Sequence, residues 1–180
     1  IMGGSVPKTM YMDVLGLLYD ILNKARREGI MAIEGDVENP DTSALFARYP
    51  AIQANHELAV FIADYFRIIA AGNLTSFELE SLMDQEIEAR MHELEQPGMA
   101  VGKVSDALPG FGIVAAVLGI VITMGAIGGD INEIGAHVAA ALVGTFSGVL
   151  LAYGLVGPIS SVMRHIAEEE IKLYEAAKAC

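Results

Sequence analysis

The sequence predicts an all-α membrane protein: a transmembrane helical hairpin attached to a helical cytoplasmic domain. Three observations carry that prediction. From Ala107 to Ile127 no side chain is ionisable, and from Ile134 to Met163 the only side chain that carries or gains charge near neutral pH is His137. Each run exceeds the roughly 20 residues that cross about 30 Å of hydrocarbon. The region before them repeats apolar residues at helical spacing, and no strand pattern competes anywhere. Mean hydropathy is +0.46, yet the formal net charge is -12, as expected of a chain divided between lipid and water. A buried hairpin in a soluble protein is the alternative, but 180 residues are few to cover two such runs.

Orientation follows from the flanking charges. Lys103 precedes the first run, Arg164 and Lys172 follow the second, and the connection from Gly128 to Glu133 holds acids but no Lys or Arg. The flanks are therefore expected in the cytoplasm and the loop on the other side. Residues 1–106 carry 17 Asp plus Glu against 8 Lys plus Arg. An acidic surface of this kind repels nucleic acid, which is set aside as a partner. The single cysteine, Cys180, permits neither an intrachain disulfide nor a metal cluster, and no cofactor is expected.

Within the water-facing part, Val14, Leu17, Leu18, Ile21, Leu22 and Ala25 form one apolar stripe, predicting a helix that ends near Gly29. A short helical stretch follows from Ile30 to Val37 and stops at Asn39-Pro40-Asp41. Leu58, Phe61, Ile62, Tyr65 and Ile69 mark a helix from about Ile52 to Ala71, closed by Gly72 and Asn73. Thr75 and Glu78 are spaced as a capping box and open a helix from Thr75 to Glu95. Gln96-Pro97-Gly98 reads as a linker before the first span.

The spans carry an ordered pattern of small residues. In the second, Ala136, Ala140, Gly144, Gly148 and Ala152 recur every fourth position; in the first, Gly112 pairs with Ala116 and Ala115 with Gly119. Such a face lets another helix backbone approach closely. Pro109 and Pro158 stand at the cytoplasmic ends of the two spans, where each removes a backbone donor, as a helix start or tolerated kink or as a hinge. Intramembrane hydroxyls are few, and no carboxylate is present between 107 and 127 or between 134 and 163. A membrane proton carrier ordinarily has one, so an ion-moving role requires a titrating group from a partner. Thr145 could offer that group a hydroxyl, or simply bond the carbonyl one turn back.

No enzyme is indicated. Ser147 and His137 are about 15 Å apart along one helix at 1.5 Å per residue, too far to act together. Ser160 and His165 lack a third group to orient them, and no Gly-rich phosphate motif opens a helix.

The longer motifs resemble a known family. Tyr11-Met12-Asp13, Asn23-Lys24-Ala25-Arg26-Arg27-Glu28-Gly29, Phe46-Ala47-Arg48-Tyr49-Pro50, Asp64-Tyr65-Phe66-Arg67, Leu82 to Glu88, Leu108 to Gly119, and Val143-Gly144-Thr145-Phe146 through Tyr153-Gly154 to Pro158 follow in order. In that order they resemble the MotA family of flagellar motor stators. The resemblance covers nearly the whole chain. It implies a subunit of the bacterial inner (cytoplasmic) membrane, multi-pass, at the flagellar basal body. Residues 1–4 would end a preceding transmembrane helix, 5–106 form the cytoplasmic domain, 107–127 and 134–163 the third and fourth spans, 128–133 a periplasmic loop and 164–180 a cytoplasmic tail helix.

The resemblance further implies a pentamer around a dimer of MotB, whose transmembrane aspartate carries the ion, and a cytoplasmic domain that pushes on the rotor protein FliG. By motif, Arg26 and Glu34 fall where the family has rotor-contacting charges, Pro109 and Pro158 on its functional prolines, and Thr145 on its channel-facing threonine. Sodium-driven relatives have a hydroxyl residue seven positions after the first proline. Here that position is Ala116, which offers a hard cation no oxygen, so protons are the expected ion. An ExbB or TolQ type transducer, which shares a similar hairpin, and a structural or transport membrane subunit are the other readings.

Overall fold

The computed structural model describes residues 6–125 and 127–180; the end of a preceding span expected at 1–4 lies outside the described residues. The described residues are helical or turn, without strands. In order they form α1 (Lys8–Glu28), a 3-10 turn (Ile30–Ile33), α2 (Glu34–Glu38), a 3-10 turn (Phe46–Arg48), α3 (Pro50–Ala54), α4 (His56–Ala71), α5 (Ser76–Gly125), α6 (Ile131–Leu151), a π turn (Ala152–Val156) and α7 (Gly157–Lys178). The chain divides into two compact units, Ile1–Glu93 with Ile166–Cys180, and Leu94–His165.

The first unit is a helical bundle whose core includes the predicted stripe of α1, namely Val14, Leu17, Leu18 and Ile21, together with Phe61, Ile62, Tyr65 and Phe66 of α4, all buried. Phe46 and Ile52 are fully buried, as are Ile33 and Val37. Tyr174 of α7 meets Phe61 edge-on at 5.0 Å between ring centroids, and Arg90 of α5 lies over the Tyr174 ring at 5.2 Å from its centroid. Burial pushes the Tyr174 hydroxyl up to about 12, against the opposing pull of Arg90. Burial and the Glu86 carboxylate, which accepts from the Tyr65 hydroxyl at 2.9 Å, raise Tyr65 as well.

Local signals explain most boundaries. Gly29, at φ 92°, closes α1 by donating to the Ala25 carbonyl at 3.0 Å, a conformation glycine adopts without steric cost. The capping box is made: the Glu78 N–H donates to Thr75 Oγ1 at 3.3 Å while the Thr75 N–H donates to Glu78 Oε2 at 2.9 Å. The helix expected from Ile52 to Ala71 is instead two. Asn55 adopts φ -93°, ψ 81° and its side chain accepts from the Leu58 N–H, so it caps α4 and separates it from α3. The stretch from Ile30 begins as a 3-10 turn before α2 takes over.

Two motifs with no local explanation prove to be tertiary clasps. The Tyr49 ring occupies the space a side chain at Gly16 would fill, with Cε1 2.8 Å from where a Cβ would stand. Its hydroxyl donates to Asp20 at 2.9 Å, and Arg48 pairs with the same carboxylate. Arg67 pairs with Asp64 and also donates to the Val37 carbonyl at 2.9 Å, fastening α2 to α4.

The second unit is the hairpin. Here the expected linker at Gln96-Pro97-Gly98 is overturned: α5 runs unbroken from Ser76 to Gly125 with Pro97 and Pro109 inside it. Gly98 is held against the partner helix, since a Cβ there would lie 2.7 Å from Arg164 Cγ, and its carbonyl accepts from Ser160 Oγ at 2.8 Å. These contacts offset the local helix-breaking tendency of Pro97-Gly98. Pro109 likewise starts no helix. At the connection, α6 begins at Ile131, within the expected loop, because Asp130 caps it by accepting from the Asn132 N–H.

Only 11% of the most apolar stretch of α5 and 17% of that in the second helix is buried. Phe111, Val117, Leu118, Val121, Leu142 and Phe146 face outward. A soluble protein covers its apolar helices, and an exposed apolar surface of this extent is that of a membrane protein.

Candidate functional site

The seam of the hairpin is built almost without side chains. A Cβ on Gly148 would lie 2.8 Å from the Leu108 carbonyl oxygen and 3.0 Å from Gly112 Cα; one on Gly144 would lie 3.1 Å from Ala115 Cβ; one on Gly119 would lie 2.5 Å from Ala141 Cβ. The small-residue face thus brings the two backbones together from Gly148 to Gly144 as expected. It then departs from the expected register, because Ala141 is buried where Ala140 and Ala136 are exposed. A straight helix gains about 100° per residue, so a strict four-residue repeat drifts off a facing helix within a few turns, and a three-residue step restores contact.

Both ion-path candidates lie on this seam. Thr145 is half-buried, and its hydroxyl donates across the hairpin to the Gly112 carbonyl at 3.3 Å, not to its own helix. Ala116 is half-buried one turn further along α5, with its backbone nitrogen 3.9 Å from the Cβ position of Gly144. Among the described residues the Thr145 hydroxyl has the Gly112 carbonyl as its one partner, with lone pairs to spare. Thr123, by contrast, bonds the Gly119 carbonyl of its own helix at 2.8 Å.

The prolines are accommodated differently. Pro109 is half-buried within α5; Pro158 is exposed, the second residue of α7, immediately after the π turn. In the other unit, Arg26 occupies the last turn of α1 and Glu34 the first position of α2, on either side of Gly29. Both are exposed, and among the described residues neither takes part in an ion pair. Nearby, Lys24 donates to Asp36 at 2.6 Å, and Ser43 to the same carboxylate. Burial alone would raise the Asp36 carboxyl, but these two bonds outweigh it and hold it below its ordinary value.

Over residues 53–176 the chain matches the MotA/TolQ/ExbB proton channel family. The chain belongs to that family. It is 46% identical over 171 residues to Motility protein A of Salmonella typhimurium, which covers 95% of this chain and 58% of the relative. Against the chemotaxis protein LafT of Vibrio parahaemolyticus it is 43% identical, covering 94% of this chain and 59% of the relative. The solved structure of C. jejuni MotAB superposes with a TM-score of 0.70 at 17% identity, covering 94% of this chain and 60% of that one. At that identity the likeness establishes the fold. The chain spans a little over half the length of these relatives.

Sequence reasoning passed over Ser105 and Gly157 of this MotA/TolQ/ExbB hairpin and weighed Ser160 only beside His165. Ser105 and Ser160, both buried, donate to carbonyls of the facing helix, and Gly157 stands where a side chain would collide with the Ala152 carbonyl. A serine such as Ser105, between Val104 and Asp106, carries no sequence signal of such a bond, because its acceptor is 47 residues away.

Proposed function

We propose that this chain is the greater part of a stator subunit of the bacterial flagellar motor. In this reading it lies multi-pass in the inner membrane, works with MotB and turns ion flow into torque on the rotor protein FliG. The observation that carries the reading is the pairing of a close-packed membrane hairpin with the lack of any intramembrane carboxylate. A proton path here needs a titrating group from outside the chain, and a MotB aspartate supplies one. Residues 5–106 and 164–180 are then cytoplasmic, 107–127 and 134–163 the spans and 128–133 the periplasmic loop; a pentamer surrounds the partner. Ala116 gives sodium no oxygen ligand, which favours protons. No residue is assigned a catalytic role. Restoration of swimming in a stator-null strain by the full-length protein tests the assignment, and a failure to swim at normal membrane levels overturns it.

Arg26 and Glu34 are proposed to face the rotor, Pro109 and Pro158 to couple membrane to cytoplasm, and Thr145 with Ala116 to line the ion path. Exposed charges contribute about 1 kcal/mol or less each, so neutralising either should slow swimming modestly and the double change, Arg26→Ala with Glu34→Ala, much more. Wild-type speed in the double variant would remove them from the rotor contact.

Thr145→Val keeps the shape of the side chain and deletes the oxygen, so it frees the Gly112 carbonyl and withdraws a hydroxyl from the path. Proton flux in vesicles and torque should fall while the complex with MotB still assembles. Flux equal to wild type would leave the threonine only its bond to Gly112.

A further inference from the structure

The second helix of the hairpin opens at Ala152–Val156 into a π turn. Such turns are rare and recur at functional sites. Two features hold this one open. Pro158 has no N–H, and in a regular helix its ring would press on the carbonyl four residues back, at Gly154; a wider turn avoids that collision. The second feature is the Ala152 carbonyl, which accepts two bonds. One comes from the Gly157 N–H, the five-residue bond that defines the turn, and the other from Ser105 Oγ on α5 at 2.9 Å.

The site is closely built. Ser105 is 5% exposed and Ala152 0%. A Cβ on Gly157 would lie 2.9 Å from the Ala152 oxygen and 3.3 Å from Ser105 Oγ. Gly157 has ordinary helical angles, so glycine is required there for room. A second serine, Ser160 of α7, donates to the Gly98 carbonyl, and a Cβ on Gly102 would lie 3.0 Å from its Oγ. The open end of the hairpin is therefore fastened twice, once from each helix, but only the Ser105 bond ends on the π turn itself.

We propose that the π turn is the moving joint of the second span and that Ser105 is the positioning residue that sets its register. With the Ser105 bond made, the Ala152 carbonyl is drawn toward α5 and the turn stays π. With the bond broken, that carbonyl is free to take the N–H four residues on, at Val156, and the turn contracts to α. Contraction by one residue turns the residues after it by about 100° around the helix axis. It also brings Pro158 onto the Gly154 carbonyl and kinks the helix. The two registers are discrete, and a single hydroxyl biases them. The use made of this joint rests on the stator reading; the catch itself is local and is tested without it.

The test is amide hydrogen exchange of segment 152–157 in the full-length complex in lipid nanodiscs, beside swimming speed. Ser105→Ala should speed exchange there by about threefold to tenfold, the effect of losing one ordinary hydrogen bond. Ser105→Thr, which keeps the donor, should restore the wild-type rate, and Ser160→Ala should leave 152–157 unchanged. Unaltered exchange in Ser105→Ala, or an equal rise in Ser160→Ala, would overturn the catch. Swimming should slow in Ser105→Ala at normal protein levels and recover in Ser105→Thr. Faster exchange with unimpaired swimming would overturn the joint. If the wild-type protein drives no swimming at all, the stator reading fails, while the exchange arm still decides the catch.

Discussion

Gly148→Val should separate the two helices of the hairpin and abolish both assembly and swimming. The first added atom, the Cβ, already falls 2.8 Å from the Leu108 carbonyl oxygen and 3.0 Å from Gly112 Cα. These are backbone atoms, which cannot rotate aside. Overpacking against side chains typically costs about 1–3 kcal/mol, and here the whole helix must move. Moving it also lengthens the Thr145 bond to Gly112 and the Ser105 bond to Ala152, since all three span the same seam. Gly135 is the control: it lies in the same helix, is exposed, and a Cβ there meets nothing within 4 Å. Gly135→Val should therefore assemble normally. Blue-native electrophoresis of membranes, with swimming assays, checks both, and a swimming Gly148→Val strain would show that the seam tolerates separation.

Pro158→Ala and Pro109→Ala are expected to give proteins that are more stable and do not work. Proline inside a helix costs about 3 kcal/mol through its missing donor and its ring, so alanine should recover part of that at either site. Pro158→Ala should also remove one of the two features that hold the π turn open, because a donor at 158 and the loss of the ring let the helix run regularly. If the prolines serve movement, the variants should insert, assemble with MotB and resist thermal unfolding at least as well as wild type, yet fail to rotate the motor. Loss of assembly instead would make the prolines structural. The combination of higher stability with lost rotation is the discriminating outcome, because a purely packing role predicts that the two fall together.

How much of this was legible in the sequence depends on how local each cause is. The hairpin was legible, since charge-free runs of that length have few other homes. So were the Gly29 and Gly72 helix ends and the Thr75–Glu78 capping box, each of which is settled within about four residues. The small-residue face was legible as a face, because its spacing is a property of one helix. Asn55 was missed as a cap because apolar periodicity runs across it.

What the tertiary structure alone decided are the features whose partners are distant in sequence. Pro97-Gly98 reads as a linker, yet Ser160 and Arg164 hold it in a continuous helix. Thr145 has a carbonyl one turn back within reach, yet it bonds Gly112, 33 residues away, because the glycines of the seam bring that carbonyl closer than side chains would allow. The shift from Ala140 to Ala141, the Tyr49 ring on Gly16 and the Ser105 catch on the π turn have the same origin. Local sequence sets which backbone groups are left without a partner, as at each proline and each helix end. Only the packing of two helices decides which distant side chain answers them, because that choice depends on interhelical distance and register, which no single segment encodes.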